Sequence, residues 1–317
     1  MAQEISGIHH ITAIASDPQR TLDFYTDVLG LRLVKLTVNF DDPGTYHFYF
    51  ADAEGQPGTI LTFFPWPGAR PGQPGNGQVS AVAFSIPPDA LDYWQDRLRT
   101  HGVSPSAIHQ RFEEAVLPLR DPDGLQLELV AHEEAPSLPA WDGGPVPAER
   151  AIRGFHHAAL WESDAEGTAQ LLTETFGFRP VGDHGGRLRF AAQESPGRLV
   201  DVVNRPDGEA GIMGAGAVHH IAWRTPDDEQ QQEWRRTLIG LGYGVTPVKD
   251  RQYFHSIYFR EPGGVLFEIA TDPPGFTLDE SPDELGTHLK LPPWLEESRS
   301  RIEEALPDLS LPSGNEP

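Results

Sequence analysis

Ala217-Val-His-His-Ile-Ala-Trp-Arg-Thr-Pro226 reads as a short strand running into a turn. Near the N-terminus, Gly7-Ile-His-His-Ile-Thr-Ala-Ile-Ala-Ser-Asp17 shows the same order: a small or apolar lead, a His-His pair, apolar alternation and a helix-start signal. The frame returns at Gly154-Phe-His-His-Ala-Ala-Leu160 and, without histidines, at Val79-Ser-Ala-Val-Ala-Phe84. The chain is therefore read as four copies of one supersecondary unit, with histidine kept in selected copies.

Working outward from these strands gives the unit itself. In the first copy, about 7–66, Asp17-Pro18 is an N-cap followed by proline at the first helical position. Leu22, Phe24, Tyr25, Val28 and Leu29 then repeat at helical spacing up to Gly30. Three strand-like stretches follow, separated by the turns Asp41-Asp-Pro-Gly44 and Ala53-Glu-Gly-Gln-Pro-Gly58. The order is β-α-β-β-β. The second copy spans about 78–131, the third 153–203 with a helix at 164–176, and the fourth 217–271. A Gly/Pro-rich stretch at 68–77 links the first two, and a second at 133–152 divides the chain into halves, 1–132 and 153–272. A C-terminal extension, 273–317, carries one expected helix at 294–305. The expected fold class is α+β: four tandem βαβββ modules, with a cleft where two copies pack together.

Composition narrows the function. The 317 residues hold 38% hydrophobic side chains and no apolar run of the ~18 residues that a membrane span needs. The first residues lack the basic and apolar regions of a signal peptide, which points to the cytoplasm. No cysteine is present, so disulfides, thiolate metal sites and thiol catalysis are excluded. A net charge of −23 argues against nucleic acid or an anionic membrane as partner. A small-molecule substrate remains, and a homo-oligomer is left open.

With the copies superimposed, the second histidine of the first strand occupies the position of His10, Ala81, His157 and His220. A matching position on the last strand holds Thr62, Glu128, Asp201 and Glu268. Strand alternation puts such residues on one sheet face, where two packed copies can bring them into one cleft. Two histidines and one carboxylate on one face form the ligand set of non-haem Fe(II) oxygenases, which leaves open positions for substrate and dioxygen. The same set also holds zinc or manganese. A lone buried histidine is ordinarily structural, but His-His recurring at equivalent repeat positions is harder to explain that way. Glu268 lies in an otherwise apolar strand, where an unpaired charge is costly, and so calls for a cation. If neighbouring copies pair, the set is His157, His220 and Glu268; if pairing is crossed, it is His10, His220 and Glu268. Spacing does not decide between them. Arg251 and Tyr258 precede Glu268 and are candidates for steering charge and protons. His9 and His219 point to the other strand face unless a bulge intervenes. No Walker or Rossmann fingerprint is present.

Five stretches, Ser6-Gly-Ile-His-His-Ile-Thr-Ala13, Lys35-Leu-Thr-Val-Asn-Phe-Asp-Asp-Pro-Gly-Thr-Tyr-His47, Pro57-Gly-Thr-Ile-Leu-Thr-Phe-Phe-Pro-Trp-Pro67, Gly216-Ala-Val-His-His-Ile-Ala-Trp223 and Phe267-Glu-Ile-Ala-Thr-Asp-Pro-Pro-Gly-Phe276, carry a family resemblance. The chain resembles the hydroquinone ring-cleaving dioxygenases of the vicinal oxygen chelate superfamily along nearly its whole length. The resemblance implies two eight-stranded open-barrel clefts formed by the four βαβββ modules, an Fe(II) enzyme that opens the ring of a hydroquinone or catechol-like substrate with O2, and the crossed ligand set His10, His220 and Glu268. It also implies outer roles for His9, Thr12, His219, Arg251 and Tyr258. His157, with Glu128 and Asp201, is left as a vestigial or opportunistic second metal site. A glyoxalase-like isomerase or lyase would need a second carboxylate where Thr62 stands, and a non-catalytic protein binding an aromatic toxin would need no ligand triad.

Overall fold

Each copy forms its own βαβββ module in the computed structural model, which describes residues 4–193 and 196–311. The first contains β1 (Ile8–Ala15), α1 (Pro18–Asp23), β2 (Arg32–Asn39), β3 (Asp42–Ala51) and β4 (Ile60–Pro65). The second contains β5 (Gln78–Ile86), α2 (Leu91–Thr100), β6 (His109–Arg111), β7 (Glu114–Arg120) and β8 (Gln126–Ala131). The third contains β9 (Phe155–Glu162), α3 (Glu166–Gln170), β10 (Arg179–His184), β11 (Arg187–Ala191) and β12 (Leu199–Asn204). The fourth contains β13 (Val218–Thr225), α4 (Asp228–Gly240), β14 (Lys249–Asp250), β15 (His255–Arg260) and β16 (Leu266–Thr271). Asp17 caps α1 as expected, accepting from the Arg20 amide at 2.9 Å. The helices after β1 and β9 are shorter than their apolar periodicity predicts. Each loosens into a π-helical turn, at Phe24–Val28 and Leu171–Thr175.

Two eight-stranded sheets result, in the orders β14-β15-β16-β13-β1-β4-β3-β2 and β10-β11-β12-β9-β5-β8-β7-β6. Module one pairs with four, and module two with three. The sheets therefore do not follow the halves 1–132 and 153–272, since each half gives one module to each sheet. At each centre two first strands meet antiparallel, β1 with β13 and β5 with β9, flanked by parallel last strands. The crossing needs two connections to run side by side. Residues 71–76 bridge to 210–215. A Cβ on Gly75 would lie 2.4 Å from the Gly211 amide nitrogen, and one on Gly214 2.4 Å from the Arg70 carbonyl oxygen. The glycines in these connections serve close backbone approach.

The C-terminal extension is docked. Lys35, fully buried on β2, forms ion pairs with Asp279 at 2.6 Å and with Glu280. Tyr253 also donates to Asp279, at 3.0 Å. Thr37 donates to the Lys290 carbonyl at 2.6 Å, and Trp294 packs edge-on against Phe40. The extension thus covers the edge strand β2, which would otherwise offer unpaired backbone groups. Its helix is split into a 3₁₀ turn, Glu296–Ser298, and α5 (Arg299–Ala305). Its polar end, 312–317, lies outside the described residues. No helix among the described residues is long and apolar enough to cross a membrane.

Where module three meets module four, Glu162 at the end of β9 is fully buried, and neither carboxylate oxygen has a hydrogen-bond partner. Burial and the neighbouring Glu261 charge push it up from 4.5 to about 8. The folded chain therefore keeps a proton that the unfolded chain loses above pH 4.5. The stability this proton provides is complete below pH 4.5 and is lost as pH rises through about 8. Glu162→Gln retains the shape without the charge. Urea unfolding should show its advantage growing from near zero at about pH 5 to about 1–3 kcal/mol at about pH 9; parallel pH profiles for the two proteins would refute this.

Candidate metal centre

His10 on β1 and His220 on β13 face each other across the central seam, and Glu268 stands on the adjoining strand β16. All three are buried. Their Nε2 atoms are 3.3 Å apart, and Glu268 Oε2 lies 2.9 Å from His220 Nε2 and 3.5 Å from His10 Nε2. Donors bonded at about 2.0–2.2 Å to one ion sit about 3 Å from each other when adjacent. The three edges match such a face. Ser256 Oγ donates to Glu268 Oε1 at 2.5 Å, whereas Oε2 is buried and receives no donor in hydrogen-bond geometry. An orphaned carboxylate oxygen turned toward two imidazole nitrogens fits a cation.

The electrostatics agree. Burial alone would raise the Glu268 carboxyl, but the adjacent His10 and His220 hold it well below the usual range. Burial lowers His220, and the Glu268 charge opposes that shift. Register shifts in the β1–β13 pairing break strict alternation near His10, so each His-His pair lies side by side rather than on opposite faces. His9 Nδ1 meets His10 Nδ1 at 2.9 Å, and His219 Nδ1 meets His220 Nδ1 at 2.8 Å. Each inner ring is thereby oriented with Nε2 toward the centre. Burial lowers His219 to about 4 and His9 well below its usual value, so both are neutral at pH 7.

A cavity of about 200 Å³ opens over these atoms. Phe40, Phe64, Trp66 and Phe254 give it aromatic walls. Arg251 Nε donates to Tyr258 Oη at 3.2 Å, and its Nη2 to Asp41 at 2.9 Å. Burial and the Glu268 charge raise the Tyr258 phenol, which stays protonated. On the module-one side, Tyr49 Oη, His47, Thr62 Oγ1 and Thr12 Oγ1 form one hydrogen-bonded chain with links of 3.0, 2.9 and 2.8 Å. Thr62 is thus engaged with His47 and Thr12. His47, Tyr49 and Phe254 were not singled out from the repeats. Tyr49 is the cross-strand partner of Thr62, so extending the alternation one strand outward would have found both Tyr49 and His47.

The Glyoxalase/Bleomycin resistance protein/Dioxygenase superfamily model matches residues 7–129 and 154–269. The chain belongs to this superfamily. It is 50% identical over 306 residues to the Bacillus subtilis (strain 168) protein named "Putative ring-cleaving dioxygenase MhqO", covering 96% of this chain and 97% of that protein. It is 36% identical over 303 residues to the chlorohydroquinone/hydroquinone 1,2-dioxygenase of Sphingobium indicum, covering 93% of this chain and 94% of that one. A crystal structure of a "putative dioxygenase" from Bacillus subtilis superimposes with a TM-score of 0.93 at 48% identity, covering 98% of this chain and 99% of that one. It stands among the ring-cleaving dioxygenases of the superfamily.

The second sheet shows what became of the expected site of Glu128, His157 and Asp201. The three do converge: His157 Nε2 is 3.4 Å from both carboxylates. Their charges, however, are met by arginines. Arg111 grips Glu128 through two bonds of 2.9 and 2.7 Å. Arg189 grips Asp201 at 2.7 and 3.0 Å, and Arg187 adds a third bond at 3.0 Å. Burial opposes ionisation of Asp201, but His157 and Arg189 hold it at about 2. The place of a metal ion is taken by guanidinium groups, so this is an ion-pair cluster. Arg111→Met would leave the buried Glu128 charge with only His157 beside it, and urea unfolding should show a loss of about 3–5 kcal/mol. Arg111→Met with Glu128→Leu should recover most of it. A single variant as stable as the wild type would contradict this account.

Proposed function

We propose that this chain is a dioxygenase that opens the aromatic ring of a hydroquinone-type or catechol-like substrate with O2, at a ferrous ion held by His10, His220 and Glu268. One observation carries the reading: two imidazoles and one orphaned carboxylate oxygen stand 2.9–3.5 Å apart, and the imidazoles line an aromatic-walled cavity sized for a single ring. The relative named chlorohydroquinone/hydroquinone 1,2-dioxygenase supports the substrate class. Zinc and manganese share this donor set, and O2 chemistry is what selects iron.

Bound Fe(II) would supply activation of O2 and a template for both reactants. The chain's own groups do the rest. Phe40, Phe64 and Phe254 hold the ring and keep water from it. Arg251 stays cationic beside Tyr258 and balances negative charge on a substrate oxygen. Tyr258 keeps its proton and presents it to an oxygen atom in the cavity. His219, neutral and at the cavity edge, accepts from His220 through its Nδ1 and so keeps the His220 ring turned toward the centre.

Anaerobic loading with Fe(II) followed by aerated hydroquinone should consume one O2 per hydroquinone. Absence of uptake with every hydroquinone and catechol tried would reject the reading. His10→Ala should lose both iron and uptake, whereas His157→Ala should keep both; iron retained by His10→Ala would remove His10 from the centre. Tyr258→Phe should lower kcat by about 10²-fold with little change in KM. An unchanged kcat would exclude proton donation by Tyr258.

A further inference from the structure

A second cavity, of about 330 Å³, lies in the sheet of modules two and three. Its wall carries Glu114 of β7, His132 just beyond β8 and His156 of β9. One donor atom from each lies within 4.8 Å of the others. We propose that Glu114, His132 and His156 form a second divalent transition-metal site, independent of the first and tying module two to module three.

The argument rests on how the three side chains are held. Each already has one polar atom fixed from behind. Arg189 Nη1 binds Glu114 Oε2 at 2.7 Å. His157 Nδ1 lies 2.8 Å from His156 Nδ1. Ser85 Oγ lies 3.0 Å from His132 Nε2, which ties down one ring nitrogen and leaves the other. Fixing the outer atom so that the inner one faces an ion is how metal ligands are oriented. The inner atoms of two of them, Glu114 Oε1 and His156 Nε2, are 2.9 Å apart, the spacing of adjacent donors on one ion.

Two imidazoles with one carboxylate favour zinc, cobalt or nickel over the oxygen-seeking calcium and magnesium. Glu113 and Glu133 also line the cavity and draw cations toward it, whereas Glu134 is paired with Arg198 at 2.8 Å. The catalytic sheet has no counterpart. Counted back from Glu128 and from Glu268, Glu114 and Phe254 are equivalent positions. Phe254 packs on His9, ring centroids 5.2 Å apart, and closes the space that Glu114 opens beside His156.

Cobalt(II) titration of the metal-free full chain tests this, read by its visible absorption and by equilibrium dialysis. Wild type should take up two equivalents and His220→Ala one. In either background Glu114→Gln should remove one equivalent, and Ser85→Ala, which only releases His132, should weaken that equivalent about 10-fold. Cobalt should raise the thermal midpoint of His220→Ala and leave His220→Ala/Glu114→Gln unmoved. A single wild-type equivalent that His220→Ala abolishes, or an equivalent that survives Glu114→Gln in the His220→Ala background, would overturn the proposal. A single wild-type equivalent that persists in His220→Ala and is lost in Glu114→Gln would instead count against the first centre. If His220→Ala does not fold, the wild-type and Glu114→Gln stoichiometries decide alone.

Discussion

A buried carboxylate oxygen without a donor, turned toward two imidazoles, is the constraint on which this structure depends. Glu268 Oε2 is sealed from water on an apolar strand, and two imidazoles face it across about 3 Å. An isolated charge in such a place is costly enough that a protein ordinarily protonates it or pairs it. Here the surroundings hold it ionised, so the geometry asks for a cation. The bulged seam between β1 and β13, the outer histidines and the hydroxyl of Ser256 all serve to keep three donor atoms aimed at one point.

The two sheets answer the same problem in different ways. In the second, alanine at position 81 takes away one imidazole, and Arg111 turns inward to bind Glu128 at two points. In the first, the equivalent arginine, Arg251, is directed to Asp41 and Tyr258 and leaves the carboxylate to the two imidazoles. Arg187 and Arg189 occupy the strand positions held by His47 and Tyr49 in the first sheet. Duplicated modules thus kept the backbone and exchanged the cation: guanidinium in one cleft, room for an ion in the other. A planar, permanently charged fork is well suited to a buried carboxylate.

An open half-barrel has two edges, and the described part of the C-terminal extension, 273–311, lies along one of them. Lys35 carries its charge into the interior only because Asp279 and Glu280 come from the extension to meet it. Asp279 also receives Tyr253, from the loop before β15, so one carboxylate links the outer strand of module one to module four. The Arg251–Asp41 pair makes a second link across the same mouth. The aromatic walls of the cavity are held at a fixed separation by these polar ties.

The repeats, the module order and the paired histidines were legible along the chain, because strand alternation, helix caps and glycine stops are local physics. His10, His220 and Glu268 could be named as candidates for the same reason: an ionisable residue in an apolar strand is conspicuous wherever it lies. Local pattern could not choose between His10 and His157, since both sit in the same frame. That choice required knowing which first strands meet, and β1 meets β13 from 210 residues away. Nor could it show that the carboxylates of the second cleft are satisfied, because Arg111, Arg187 and Arg189 look like ordinary strand-end cations until the sheet curls around them. Sequence determined the modules and the donor types; only tertiary packing decided which donors converge and which carboxylates an arginine meets, because charge compensation depends on distance in space.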